Sequence, residues 1–419
     1  MNVGFISTRL AGTDGVSLET AKLATIIRRL GHRVFYCAGE LDADAPPGLL
    51  IPEMHFAHRE AKQIHDEAFS GSAPADLRPR IESMAARLYT AIHRFVEQYQ
   101  IDVLVLQNAL AIPMHIPLGG ALSDYIAEMG VPAIAHHHDF YWERERFNLC
   151  AVHDVLERVF PPDLPNIRHL VINTPARDEL QRRKNIAAQW LPNIFDFATP
   201  PPEPDEFAAD LSRAMGFLPG DRVILQPTRV IPRKGIELSI ELVRRLGNPR
   251  LRLLITHHAG DEGVEYLHHL KGLAERAMVD LRYMAHRFAP SRRTGTNGTK
   301  TYSLWDAYPL ADFVTYPSFV EGFGNAFLEA IYFRRPLLVN RYPVYVADLA
   351  PLGFRCVEID GAITDSTVKE VRRLLADADL AREVAEHNAQ IAAAYFSYEA
   401  VTPLIANLLD ELAPRKGQP

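Results

Sequence analysis

The run Pro200-Pro201-Pro202-Glu203-Pro204 admits neither a helix interior nor a central strand, because each proline fixes its own φ and lacks an amide donor. It reads as a stiff connector between two halves that carry the same rhythm. Before it, apolar strand-length runs at 3–7, 33–37, 102–107, 132–136 and 168–173 alternate with helical periodicity at 17–30, 82–99 and 123–129. After it, strands at 222–226, 250–255, 279–282, 311–316 and 336–340 alternate with helices at 236–246, 262–277 and 325–333. The chain then stays helical from about 367 to 412. Short continuous apolar strands separated by helices are what a parallel sheet covered on both faces requires. The expected fold class is α/β, with two Rossmann-like domains whose strand-end loops face a cleft. Residues 39–80 read as an elaboration outside the core, and 290–303, rich in Arg, Gly, Thr and Asn, as a mobile loop.

With 419 residues, 47% of them hydrophobic, each domain has enough material for a core. A formal net charge of -7 argues against wrapping nucleic acid. Cys37, Cys150 and Cys356 lie far apart, without metal-ligand spacing, which fits a reducing compartment and a cytoplasmic location. The N-terminus begins a strand at once and lacks the pattern of a signal peptide. No apolar stretch is long enough to span a membrane.

Arg229 and Lys234 follow the strand at 222–226, in a run where Pro232 and Gly235 break the chain just before a helix. Cations beside free helix amides suit a diphosphate, although a solvated basic turn fits the charge pattern equally. In Glu321-Gly322-Phe323-Gly324-Asn325-Ala326-Phe327-Leu328-Glu329, two carboxylates bracket a glycine turn at a helix start. The glycines permit close backbone approach, and a carboxylate there can accept hydrogen bonds from sugar hydroxyls. Charge complementarity at the helix start would explain an acid near Asn325, but not the two glycines. Gly12 and Gly15 in the first strand-to-helix loop would bring backbone amides to a ligand. Of His136-His137-His138, alternate residues face opposite sides of a strand, and His138 lies furthest beyond it. Three adjacent histidines do not converge on one ion, so no metal site is expected, a structural zinc being the competing reading. There is no GxSxG elbow and no Walker A run.

These features, together with Leu191-Pro192-Asn193, follow one another in the order found in glycosyltransferase family 4, and the chain resembles that retaining GT-B group over nearly its whole length. The resemblance implies a retaining hexosyltransferase that uses a nucleotide diphosphate sugar, GDP-mannose or UDP-glucose, and a small soluble, anionic hydroxyl acceptor. It implies that Arg229 and Lys234 bind the diphosphate, that Glu329 holds the ribose, and that Glu321 lies near the sugar. Phe323, Gly324 and Asn325 would shape the pocket, Gly15 and Val16 would approach the diphosphate, and His138 would contact the donor sugar. No tightly bound cofactor is implied, and a metal is not strictly required. The implied domains are 1–195, 206–394 and a crossover segment 395–419 that returns to the first domain. A homo-oligomer is compatible with the sequence. Thr256-His257-His258-Ala259-Gly260 departs from the glycine-rich turn common in the family. Phe140–Phe147, with Arg144 and Arg146, reads either as a packed helix or as a reader of an anionic acceptor, as in enzymes that make sugar-glycerate solutes.

Two other functions use the same architecture. A sugar-nucleotide epimerase would need no acceptor and a phosphorylase would depend on inorganic phosphate or a lysine-bound pyridoxal cofactor, whereas a non-catalytic nucleotide-sugar-binding module would turn nothing over.

Overall fold

The computed structural model describes residues 1–12, 14–259 and 264–413. Chain contacts divide it into two compact units. One is Met1–Ile194 together with the chain from Tyr398 onward, and the other is Phe195–Ser397. The proline connector and all but the last helix of the C-terminal region therefore fall within the second unit.

The first unit holds a seven-stranded sheet of β1 (Asn2–Ser7), β2 (Arg33–Ala38), β3 (Gly48–Leu50), β4 (Val103–Gln107), β5 (Ala133–His137), β6 (Ile167–Val171) and β7 (Ala188–Trp190). The order across the sheet is β3-β2-β1-β4-β5-β6-β7, and every pairing is parallel. The helices are α1 (Gly15–Arg29), α2 (Arg59–Ala68), α3 (Leu77–Tyr99), α4 (Ile116–Met129), α5 (His153–Val159) and α6 (Thr174–Lys184). On one face, Phe35, Leu104 and Leu106 pack with Ile64, Leu88, Phe95 and Leu122 from α2, α3 and α4. On the other, Phe5, Val105 and Ile134 pack with Leu23 and Ile27 of α1. The region 39–80 is thus not outside the core, because Met54, Ile64 and Ala68 are fully buried within it.

The second unit repeats the plan. Its six-stranded parallel sheet comprises β8 (Arg222–Gln226), β9 (Leu251–Ile255), β10 (Leu281–Tyr283), β14 (Phe313–Tyr316), β15 (Leu337–Asn340) and β16 (Val357–Ile359), in the order β10-β9-β8-β14-β15-β16. Around it lie α7 (Leu211–Ala214), α8 (Ile236–Leu246), α9 (Val264–Arg276), α10 (Asn325–Tyr332), α11 (Asp365–Ala376) and α12 (Ala378–Phe396). The expected start of α9 at 262 lies outside the described residues.

Between β10 and β14 the chain builds a small separate sheet of β11 (Phe288–Ala289), β12 (Arg293–Thr294) and β13 (Lys300–Ser303), with β13 in the middle. This corrects the expectation of a loop over 290–303. Arg292 ion-pairs with Asp306 and with Asp205, each at 2.5 Å, and Lys300 pairs with Asp210 at 2.9 Å, so charge contacts tie the hairpin to 205–210. The last helix, α13 (Tyr398–Leu412), belongs to the first unit, where Val401, Ile405, Leu408 and Leu409 join the cluster around α1.

Candidate functional site

In each sheet the order reverses direction beside its first strand, at β1/β4 and at β8/β14, and ligands in open parallel sheets bind outside the carboxyl ends of the strands at such a point. The sequence-derived residues of the second unit collect there. After β8, buried Gln226 accepts hydrogen bonds from Ser239 at 2.8 Å and Thr315 at 2.9 Å, and donates to Thr228 at 2.8 Å, which fixes the start of the turn. The turn Pro232–Lys234 ends at Gly235, whose φ is +59. A Cβ at Gly235 would lie 2.5 Å from the Pro317 carbonyl oxygen, so only glycine lets this turn press against the chain leaving β14.

That approach brings Lys234 to Glu321. Their side chains are ion-paired and nearly enclosed, and Arg233 reaches the second carboxylate oxygen at 3.2 Å. Burial alone would raise the Glu321 carboxyl, but the Lys234 ammonium and then Arg233 outweigh it and hold it below the ordinary range. Burial lowers Lys234, with Glu321 pulling the other way. The Tyr316 ring lies 5.7 Å from the ammonium. Arg229 is exposed and forms no ion pair among the described residues.

The glycine turn is held from behind. Gly324 has φ +126, and its missing Cβ would lie 2.7 Å from the Tyr342 hydroxyl. That hydroxyl donates to the Phe323 carbonyl at 2.7 Å. The Phe323 ring itself is buried, 5.4 Å from Phe396, so it faces the core and the turn offers a ligand backbone at this position. Asn325 opens α10, and Glu329, one turn later, accepts a hydrogen bond from buried Tyr308 at 2.6 Å.

In the first unit, His138 lies just past β5. Its amide donates to Asn108 at 2.9 Å, and its Nε2 lies 3.3 Å from the Gln107 side-chain oxygen. His136 shares that oxygen at 3.1 Å, while His137 turns to the opposite side and meets His169 at 2.9 Å. Burial lowers the His138 imidazole to about 4, with Asp139 and Asp14 opposing, so the ring is uncharged at neutral pH. Asp139 accepts from Asn108 at 2.9 Å and ion-pairs with Arg144. At the start of α1, Asp14 caps the amides of Val16 at 3.1 Å and Ser17 at 3.2 Å, and pairs with Arg9 at 3.0 Å. The Val16 amide is therefore already engaged, while Gly15 is exposed beside it. Thr13 and Gly260 lie outside the described residues.

Sequence reading missed Arg233, Tyr308 and Tyr342, which hold the glutamate turn, and Gln107 and Asn108, which hold His138. The last two were visible as polar residues ending an apolar strand. Tyr308 and Tyr342 come from outside the motif and carry no local signal. Among the described residues, no group of His, Cys, Asp and Glu could hold a metal ion, and no helix is long and apolar enough to cross a membrane.

Residues 209–390 match the family model for glycosyl transferases group 1. The mannosylglucosylglycerate synthase of Thermotoga maritima is 31% identical over 442 aligned positions, covering 97% of this chain and 99% of that enzyme. The chain belongs to the group 1 glycosyltransferases. A second mannosylglucosylglycerate synthase, from Petrotoga mobilis, is 31% identical over 379 positions and 86% of each chain. A glycosyltransferase structure from Rickettsia africae superposes with a TM-score of 0.71 at 11% identity, covering 98% of each chain. That likeness concerns the fold, which is GT-B. This glycosyltransferase is a family 4 hexosyltransferase.

Proposed function

We propose that the donor is GDP-mannose or UDP-glucose, that the acceptor is a small soluble anionic hydroxyl compound, and that the anomeric configuration is retained. The observation that carries the donor reading is the enclosed Lys234–Glu321 pair at the sheet's switch point, with the exposed Arg229 cation on the same turn. In this reading the donor diphosphate takes over the Lys234 ammonium from Glu321, and Arg229 adds the second charge. The two cations stabilise the negative charge that grows on the leaving diphosphate. Glu321 is then released toward sugar hydroxyls, and Glu329, aimed by Tyr308, accepts from the ribose. Gly324 and Asn325 supply backbone beside the sugar. Gly15 and Val16 are assigned to the diphosphate and His138, as an uncharged ring, to the donor sugar.

The relatives named for mannosylglucosylglycerate favour a mannosyl donor and a sugar-glycerate acceptor. For recognition of the acceptor's carboxylate, Arg144 is already engaged by Asp139, and Arg146 donates to the Met114 sulfur at 3.2 Å with its guanidinium 4.7 Å above the Phe147 ring. The first reading of Arg144 is thus a structural one.

Radiolabelled GDP-mannose and UDP-glucose, incubated with and without glucosylglycerate, test this reading. Label should move to the acceptor, and the product anomer read by NMR should match the donor's. Label that stays on the nucleotide in every incubation would sink the transferase reading and leave an epimerase, and turnover requiring inorganic phosphate would indicate a phosphorylase. Lys234→Ala should lower turnover about 100-fold or more, as loss of a charge-stabilising donor does elsewhere. A wild-type rate in that variant would remove the proposed phosphate site.

A further inference from the structure

β8 and β9 are paired in register, with Gln226 beside Ile255, so the two chains leave the sheet side by side. Their turns stay in contact, because the Val230 amide donates to the His258 carbonyl at 3.4 Å. His257 therefore lies beside the turn that carries Arg229 and leads to Lys234. Its ring is anchored: Nδ1 is 3.0 Å from the hydroxyl of buried Thr256. The far end of the same turn is pinned by the Ala259 amide, which donates to the Tyr283 hydroxyl at 3.1 Å. The charged or titratable groups acting on the ring are Lys234, Arg229 and His258. Burial first, and then these neighbours, lower the imidazole to about 4, so it is uncharged at neutral pH.

An imidazolium would be repelled by two cations at this position. An uncharged ring is not, and it still offers one N–H to an anion that the cations attract. We propose that His257 is a third hydrogen-bond donor to the diphosphate of the nucleotide sugar, acting through Nε2–H while the Thr256 hydroxyl donates to Nδ1. The inference rests on the reading that Arg229 and Lys234 hold that diphosphate. It adds a contact from β9 to a site otherwise built from β8 and β14. Because Thr256 sets which ring nitrogen carries the proton, it acts as a positioning residue.

Calorimetric titration of the full-length protein with GDP, UDP and ADP tests the proposal. His257→Ala should weaken the tightest-binding diphosphate roughly 10- to 100-fold, the usual effect of losing one hydrogen bond to a charged group. His257→Gln, whose amide places an N–H at a similar reach, should recover most of that loss. Unchanged affinity in His257→Ala overturns the inference, and so does an equal loss in both variants, since a donor at that position would then not be what matters. Lys234→Ala separates the two layers. If it loses affinity while His257→Ala does not, only His257 is removed. If neither variant loses affinity, or if wild type binds none of the three nucleotides, the phosphate site itself falls and the inference with it.

Discussion

Replacing Glu321 with glutamine preserves side-chain shape and removes one charge from an enclosed pair. The Lys234 side chain is 10% exposed and that of Glu321 9%, so water screens them weakly. Removing one partner of a buried ion pair costs about 3–5 kcal/mol, because the other charge is left uncompensated. The amide oxygen of the variant still accepts a hydrogen bond from the ammonium, which places the expected loss near the lower end, about 3 kcal/mol. The pH dependence gives an independent check. Burial already lowers the Lys234 pKa in the folded protein, and loss of the carboxylate lowers it further. Between that depressed folded value and the ordinary lysine value of about 10.4, the unfolded chain binds more protons, so stability rises with pH. Glu321→Gln should therefore regain part of its deficit as the pH rises toward about 10.4, more steeply than wild type. Hydrogen exchange of α8 and α10 peptides, measured without nucleotide, reports the opening free energy of the second unit directly. A variant within 0.5 kcal/mol of wild type (about the noise expected of a surface substitution), with the same pH slope, would refute the claim that this pair is buried and mutually dependent.

Gly324→Ala should cost about 2–5 kcal/mol, combining a strained positive φ with loss of the Tyr342–Phe323 hydrogen bond as the new methyl meets the tyrosine hydroxyl. An unchanged thermal midpoint together with wild-type turnover would contradict it. Leu409→Ala removes a fully buried side chain of α13 and should destabilise the first unit by about 2–5 kcal/mol. Faster hydrogen exchange should appear in α1 and β1, and protection equal to wild type there would show that α13 does not complete that core.

The sequence was most readable where one strand or helix carries its own pattern. The run 222–226 and the helix 236–246 match β8 and α8 to the residue, since both are apolar patterns with clear breaks. The three-residue strands β3, β7 and β16 are too short for periodicity to show. At α1 the expected start at 17 was late, although Asp14 ahead of an amphipathic run is itself a capping signal. The ordered hairpin at 293–303 was not legible, because its partners Asp205 and Asp210 lie far upstream. The same limit applies to the site. The breaks and charges around them brought Lys234 and Glu321 to attention, but only the adjacency of β8 and β14 explains why they touch. Phe323 shows the reverse, a motif residue whose neighbours in sequence suggest a pocket while its ring packs on Phe396.

The position of α13 also bears on how the molecule is made. The first unit begins at Met1 but draws part of its core from Tyr398 onward, and about 200 residues separate its two pieces. At roughly 5–20 residues per second, translation needs on the order of 10–40 s to cross that interval. Throughout it, the face of the first sheet that α13 will cover lacks its last layer, while the uninterrupted second unit can close as soon as it emerges. The half synthesised first is thus the half completed last. A pause or premature stop late in the message would leave a nearly full-length chain with a finished second unit and an open, aggregation-prone first one.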